Sequence, residues 1–178
     1  MLPIVQVGDP VLRATAQPVA VADLAGLAQL ISEMRDTMRD APGVGLAAPQ
    51  IGLSLALAVI EDAPELHAGL TPEQLAARER AAVPFHVIVN PKLTPVGDER
   101  VVAYEGCLSF KGFVMMVPRF RSVRVEALDE HGNARVIEAT GWYARILQHE
   151  IDHLHGIVCC DRMDPRTLST TENHGKFD

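Results

Sequence analysis

Residues 149 to 153 read His-Glu-Ile-Asp-His, and they are the groups whose types and spacing point most directly to chemistry. On an α-helix, side chains four residues apart stand one above the other. His149 and His153 can therefore aim two imidazoles at one cation, with Glu150 about 100° round the helix beside them. Two nitrogen ligands and a carboxylate base for a water are the parts of a hydrolytic metal site. The plainer alternative is a pair of hydrogen-bonded core histidines. Two histidines at this spacing with a glutamate between them favour a functional site.

A metal site needs at least one further protein ligand. Zinc peptidases with this pattern take theirs from further down the chain, from a Glu on a later helix or a His in an extended motif. After His153 the sequence offers only His155, Asp161, Asp164, Glu172 and His174, with no expected helix to hold a distant ligand. Upstream, Glu105-Gly106-Cys107-Leu108-Ser109 places a cysteine just past a predicted strand, where a turn can present it. As a thiolate, Cys107 would complete a Cys-His-His set with a fourth position open. As a buried thiol it would be inert, which is also the reading for Cys159 and Cys160, since adjacent strand side chains point to opposite faces. A metallopeptidase and a non-catalytic metal-binding module remain alternatives at this point.

The elements that must position these groups follow from periodicity. Trp142, Ile146, His149 and His153 share one face of a helix over 142–156, and Leu147, Ile151 and Leu154 share another. A helix apolar on two sides is buried; Thr140 is its expected cap and Gly156 its stop. Asp23 is the expected cap of an earlier helix carrying Leu27, Ile31, Met34 and Met38 on one face, ended by Pro42-Gly43. Residues 43–50, Gly-Val-Gly-Leu-Ala-Ala-Pro-Gln, form a backbone that a ligand can approach closely, without the Lys-Ser/Thr ending of a phosphate loop. Strands are expected over 53–60, 85–90, 101–104, 114–117, 122–128 and 135–139, with a hairpin at Gly132-Asn133 and a short strand over 157–160. Residues 61–84 break the pattern and read as an inserted loop with a short helix from Thr71, on which His67 is solvated; 165–178 read as a polar tail. The expected architecture is α+β, antiparallel strands packed around a central metal-binding helix, with 1–178 as a single catalytic domain.

A length of 178 residues, 48% of them hydrophobic, suits a folded domain and excludes disorder. The net charge of −7 argues against direct nucleic-acid binding and against an anionic membrane surface. No apolar run is long enough to span a bilayer, and no secretory or transit segment is evident at the start. Three cysteines, an odd number, fit a reducing compartment. The expected location is the bacterial cytoplasm, or an organelle for a mature enzyme.

Residues 43–50, Glu105 to Ser109, and Gln148-His149-Glu150-Ile151-Asp152-His153 together resemble the three signature motifs of the peptide deformylases, in that family's order. The resemblance runs from Gly8-Asp9-Pro10 to Asp161-Arg162-Met163. Gly141-Trp142-Tyr143-Ala144-Arg145-Ile146 and the 61–84 insertion are similar to the sub-group containing organellar and some bacterial enzymes. Phe110 stands where the family usually has a smaller aliphatic residue, and the tail lacks the long basic helix by which some members dock on ribosomes.

The resemblance implies that Cys107, His149 and His153 bind one metal ion, ferrous iron with Zn2+, Ni2+ or Co2+ as substitutes. It implies Glu150 as general acid and base, with the Gln50 amide and the Leu108 N–H holding the oxyanion and Gly45 in the same substrate-facing motif. The reaction would remove the N-formyl group from formyl-methionine at the start of new polypeptides and release formate. Partners would be N-formylmethionyl peptides and nascent chains, with transient ribosome contact. A flexible apolar pocket suits a methionine side chain, and Val44, Gly106, Trp142 and Ile146 are its expected lining.

Overall fold

The computed structural model describes residues 1–177. Asp178, the last residue of the expected tail, lies outside the described residues. Five antiparallel strands form the larger sheet in the order β1 (Gly45–Ala47), β2 (Leu57–Asp62), β3 (Val83–Pro95), β6 (Ser122–Leu128) and β7 (Ala134–Thr140). A second sheet pairs β4 (Arg100–Gly106) with β5 (Phe113–Phe120), and β5 with the two-residue β8 (Ser169–Thr170).

The larger sheet is apolar on both faces because a helix covers each. Side chains alternate across a strand, so Ala58, Ile60 and Ile88 face α3 (Gly141–Leu154), packing with Ala144, Leu147 and Ile151. Leu57, Val59, Val87 and Val89 face the other way, onto Ile31, Met34 and Met38 of α1 (Ala28–Asp40). This two-sided burial is why β2 and β3 read as continuous apolar runs rather than as alternation. A third cluster, built on Leu12, Met115, Val117, Val158 and Cys159, lies under the second sheet.

Several expected boundaries shift for identifiable reasons. The strand expected over 53–60 begins only at Leu57, since residues 48–51 form a 3-10 turn closed by Gly52 in the left-handed region. Asp23 does not cap α1: a 3-10 stretch over Val21–Leu27 precedes it, and the first α-helical residue is Ala28. β3 runs through Pro91 because Asn90 takes a positive φ of 50° at a register shift, its side-chain amide bonded to both the N–H and the carbonyl of Val19. Residues 157–160 are not a strand; Cys159–Asp161 form a 3-10 turn whose Asp161 carboxylate accepts from the Val158 N–H. The tail is built in as well, through β8 and α4 (Thr171–Phe177).

Thr140 does not cap α3 with its side chain, because its hydroxyl is engaged with that of Ser122 across the β6–β7 pair. The insertion does the work instead. It contains α2 (Pro72–Ala77), closed by the reciprocal Thr71 and Gln74 bonds expected of a capping box. The Arg78 carbonyl then accepts from the Trp142 N–H at 3.0 Å. A Cβ on Gly141 would stand 2.8 Å from the Glu79 carbonyl oxygen and 2.9 Å from that of Arg78, so a glycine is what permits this close approach. His67 is not solvated surface: it is half-buried, with Nε2 3.1 Å from the buried Asp62 carboxylate that Arg80 also holds.

Leu147 is fully buried between α3 and the larger sheet. Replacing it with alanine is expected to lower stability by about 2–5 kcal/mol, the usual cost of a large-to-small core change. Urea unfolding followed by far-UV circular dichroism would measure this; an unchanged midpoint would contradict the central role given to α3.

Candidate metal centre

The HExxH spacing does on α3 what helix geometry requires: the rings of His149 and His153 lie 5.0 Å apart, centroid to centroid. Cys107, in the turn after β4, brings its Sγ to 3.3 Å from His153 Nε2. One ligand atom from each of Cys107, His149 and His153 falls within 4.8 Å of the others. The structure thus brings together the three residues that the sequence picked out from two distant motifs. The site fits a metal ion on the chemistry of its donors, and two buried polar atoms beside it lack hydrogen-bond partners among the described residues: His153 Nδ1 and Glu150 Oε2.

Glu105 orients the set from behind. Its Oε2 lies 3.0 Å from His149 Nδ1, so this carboxylate accepts a hydrogen bond from the Nδ1–H and turns Nε2 toward the other ligands. Arg119 donates to both Glu105 oxygens, at 2.9 and 3.0 Å, and Arg145 donates to Oε1 at 2.6 Å. Arg119 also pairs with Asp152, which Arg162 grips at 2.6 and 2.7 Å. Burial alone would raise the Glu105 pKa, but the bonds from His149 and Arg119 outweigh it and hold the carboxyl well below its ordinary range. His149 carries the mirror effect: burial disfavours its charge, yet Glu105 raises it to about 9, and a cation must displace that proton to bind. Burial and the neighbouring His149 push His153 the opposite way, well below 6.5, so its ring is neutral and ready to ligate.

Glu150 stands beside the ligands in a buried position, and burial raises its carboxyl to about 7. Gly45 makes room for it. A Cβ at Gly45 would lie 2.7 Å from Glu150 Cγ and would overlap its carboxylate, so no side chain is compatible with Glu150 where it stands. Gln50 is fixed by its own loop: Oε1 accepts from the Ala47 N–H at 2.8 Å, which turns Nε2 toward Ser109 Oγ (3.3 Å) and Cys107 Sγ (3.7 Å). The Leu108 backbone is held from the other side, where Gln6 Nε2 donates to its carbonyl at 3.0 Å. Its N–H has no hydrogen-bond acceptor among the described residues.

These groups open on one cavity of about 860 Å³. Val44, Gly106, Trp142 and Ile146, the expected side-chain pocket, all line it, as do Gly45, Gln50, Cys107 and Leu108. His149 and Glu150 face it while His153 is 1% exposed and sits behind them. Trp142 carries three guanidinium groups over its ring, from Arg78, Arg80 and Arg145 at 5.2–5.8 Å. Through Arg78 and Arg80 the insertion fixes one wall of this cavity. Sequence reasoning did not identify Glu105, Arg119, Arg145 or Asp152 as parts of the site. One signal was present: Met115, Val117 and Arg119 alternate on the inward face of β5, and a charge in that phase requires a buried partner.

Comparison with known proteins agrees with this geometry. A family model described as polypeptide deformylase matches residues 1–169. Peptide deformylase 3 of Streptomyces avermitilis is 50% identical over 173 residues, covering 96% of this chain and 75% of that protein. The chloroplastic peptide deformylase 1A of Solanum lycopersicum is 44% identical over 172 residues, covering 96% of this chain and 62% of that protein. Among solved structures, a class I type b peptide deformylase from Acinetobacter baumannii with Met-Ala-Ser bound is similar with a TM-score of 0.80 and 31% identity, covering 92% of this chain and 98% of that one.

Replacing Glu105 with glutamine leaves two buried guanidinium groups short of a counter-charge. It is expected to cost about 3–5 kcal/mol of stability and about 10–100-fold in metal affinity. Because the folded carboxyl is depressed, its contribution is present above the unfolded value of 4.5 and fades as pH falls below it. The gap between wild type and Glu105→Gln in urea titrations should therefore narrow on acidification; a constant gap would contradict the assignment.

Proposed function

The chain belongs to the polypeptide deformylase family, and from that membership we propose how this site carries the reaction. The protein is a metal-dependent hydrolase that removes the N-formyl group from nascent polypeptides. In the proposed reading Cys107, His149 and His153 hold one divalent cation per chain, Fe2+ by preference, with Zn2+, Ni2+ or Co2+ as substitutes. The observation that carries it is the convergence of those three ligand atoms beside a buried carboxylate with an unpartnered oxygen. When bound, such a cation supplies Lewis acidity and lowers the pKa of a water from about 15.7 to roughly 7.

The chain's own residues do the rest. With its carboxyl at about 7, Glu150 both takes and gives a proton near neutral pH. It accepts the proton of the water that attacks the formyl carbon and delivers it to the leaving amine nitrogen. Gln50 Nε2 and the Leu108 N–H are donors already in place for the formyl oxygen as it gains negative charge. Val44, Gly106, Trp142 and Ile146 receive the methionine side chain, and Gly45 leaves space for Glu150 against the substrate-facing strand. Residues 1–178 act as one catalytic unit, supported by α3 packing against the larger sheet while its Arg145 and His149 bind Glu105 of the smaller one.

The substrate is the formylated end of a nascent chain, met in transient contact with the ribosome. The proposed compartment is the bacterial cytoplasm or its organellar equivalent. Among the described residues no helix is long and apolar enough to cross a membrane.

The direct test is an anaerobic assay of ferrous-loaded protein on a formyl-methionyl peptide, scored by formate release. Glu150→Gln should keep its metal and lose about 10²–10⁴ in kcat, whereas Cys107→Ala should lose the metal. Full metal content in Cys107→Ala would remove that residue from the ligand set. Gln50→Ala should lower kcat/KM by about 10²–10³ with metal retained. An unchanged rate would exclude Gln50 as an oxyanion donor.

A further inference from the structure

The two proposed oxyanion donors stand on separate turns, and one short segment near the start of the chain is bonded to both. The Val5 N–H donates to the Gln50 carbonyl at 2.9 Å, and the Val7 N–H donates to the Ser109 carbonyl at 2.8 Å. Val5 and Val7 pack on the cluster of Leu12, Met115 and Val117, while Gln6 between them lines the cavity. The apolar-polar-apolar order Val5-Gln6-Val7 thus anchors the segment in the core and presents one amide to the site.

That amide grips the turn after β4 at two points. Gln6 Nε2 donates to the Leu108 carbonyl at 3.0 Å, and Gln6 Oε1 accepts from the Lys111 N–H at 3.2 Å. The partners themselves fix which end of the amide is which, because an N–H must meet the oxygen and a carbonyl the NH2. Nε2 also lies 3.3 Å from the Ile4 carbonyl, so its second hydrogen ties the amide to its own segment. Within the turn the Phe110 N–H closes on the Cys107 carbonyl at 3.0 Å, which puts Leu108 and Ser109 at the two central positions. Gln6 therefore holds the middle of the turn through one carbonyl and its exit through one N–H.

We propose that Gln6 is a positioning residue for deformylation: it holds this turn so that the Leu108 N–H stays aimed at the formyl oxygen as that oxygen gains charge. The proposal rests on the reading of this N–H as an oxyanion donor. Such a donor is effective when it is already in place, because no reorganisation is then needed during the reaction. The Leu108 N–H has no acceptor of its own among the described residues, so its direction depends on the bonds that the rest of the turn makes. A peptide seated in the cavity covers Gln6, and removing water from around the two bonds strengthens them.

The test is a double-mutant cycle between Gln6 and the Leu108 N–H, run anaerobically on ferrous-loaded protein with a formyl-methionyl peptide. Gln6→Met keeps the length of the side chain and removes both bonds. Its kcat should fall about threefold to tenfold, with KM within about twofold and metal content unchanged. Gln6→Glu keeps an acceptor for Lys111 but offers the Leu108 carbonyl no donor when ionised, so it should not restore the rate. Incorporating the α-hydroxy analogue of leucine at position 108 replaces the N–H with an ester oxygen, and kcat should fall by about 10²–10³. In that ester protein Gln6→Met should change kcat by less than about twofold, because the donor it orients is gone. A readout independent of turnover is backbone NMR relaxation of the zinc-loaded protein: Gln6→Met should lower the order parameters of residues 108–111 and leave those of α3 unchanged. A raised KM with kcat unchanged overturns positioning in favour of direct substrate contact. Unchanged kcat, unchanged order parameters, or an equal loss of rate in the ester protein also overturns it. Full activity of the ester protein removes the Leu108 N–H as a donor, and the proposal falls with that reading.

Discussion

The carboxylate of Glu105 is the interaction on which the site depends. A carboxylate taken out of water must be repaid by strong, well-placed donors, or it becomes neutral. Here the donors come from two other elements, Arg119 on β5 and Arg145 and His149 on α3. Meeting all of them at once fixes how the smaller sheet approaches the helix. Cys107 follows Glu105 by two residues, so the same constraint delivers its sulfur to the two imidazoles. Arg119 extends the network to Asp152 and Arg162, which ties the far side of α3 to the segment beyond it.

The apolar framework holds α3 where that network needs it. The larger sheet is buried on both faces, by α1 on one side and α3 on the other. From Ala144 to Leu154 the helix is buried except at His149, which faces the cavity. A helix so enclosed has no freedom to rotate, so the angular positions of His149, Glu150 and His153 are set by packing. The insertion adds a last restraint at the start of α3, with the Arg78 carbonyl capping Trp142 and two of its arginines over the indole ring.

Burial also divides the electrostatic work. It raises Glu150 to about 7, where a carboxyl can act as both base and acid, and it keeps His153 neutral. The same burial would neutralise His149, but the adjacent Glu105 wins, because a short bond to a full negative charge outweighs desolvation. Gln50 shows how donors are preorganised without charge: one end of its amide is occupied by the Ala47 N–H, which leaves the other end committed to the site.

The sequence by itself determined the parts whose meaning is local. The spacing of His149 and His153 follows from helical geometry, the Thr71 to Gln74 box from capping chemistry, and the hairpin at Gly132-Asn133 from turn preference; each appears as expected. The α+β class was legible too, and so was Cys107 as an upstream candidate, which the fold brings within 4.8 Å of the two imidazoles. Local patterns misled where distant groups intervened. Asn90 carries β3 through a proline by bonding Val19, and Thr140 gives up its capping role to pair with Ser122. Only the tertiary structure decided that Glu105 orients His149, that Gly45 yields its volume to Glu150, and that the insertion sets two arginines over Trp142, which lines the cavity. Each of these joins residues far apart in the chain, and periodicity along one segment carries no information about what another segment will place against it.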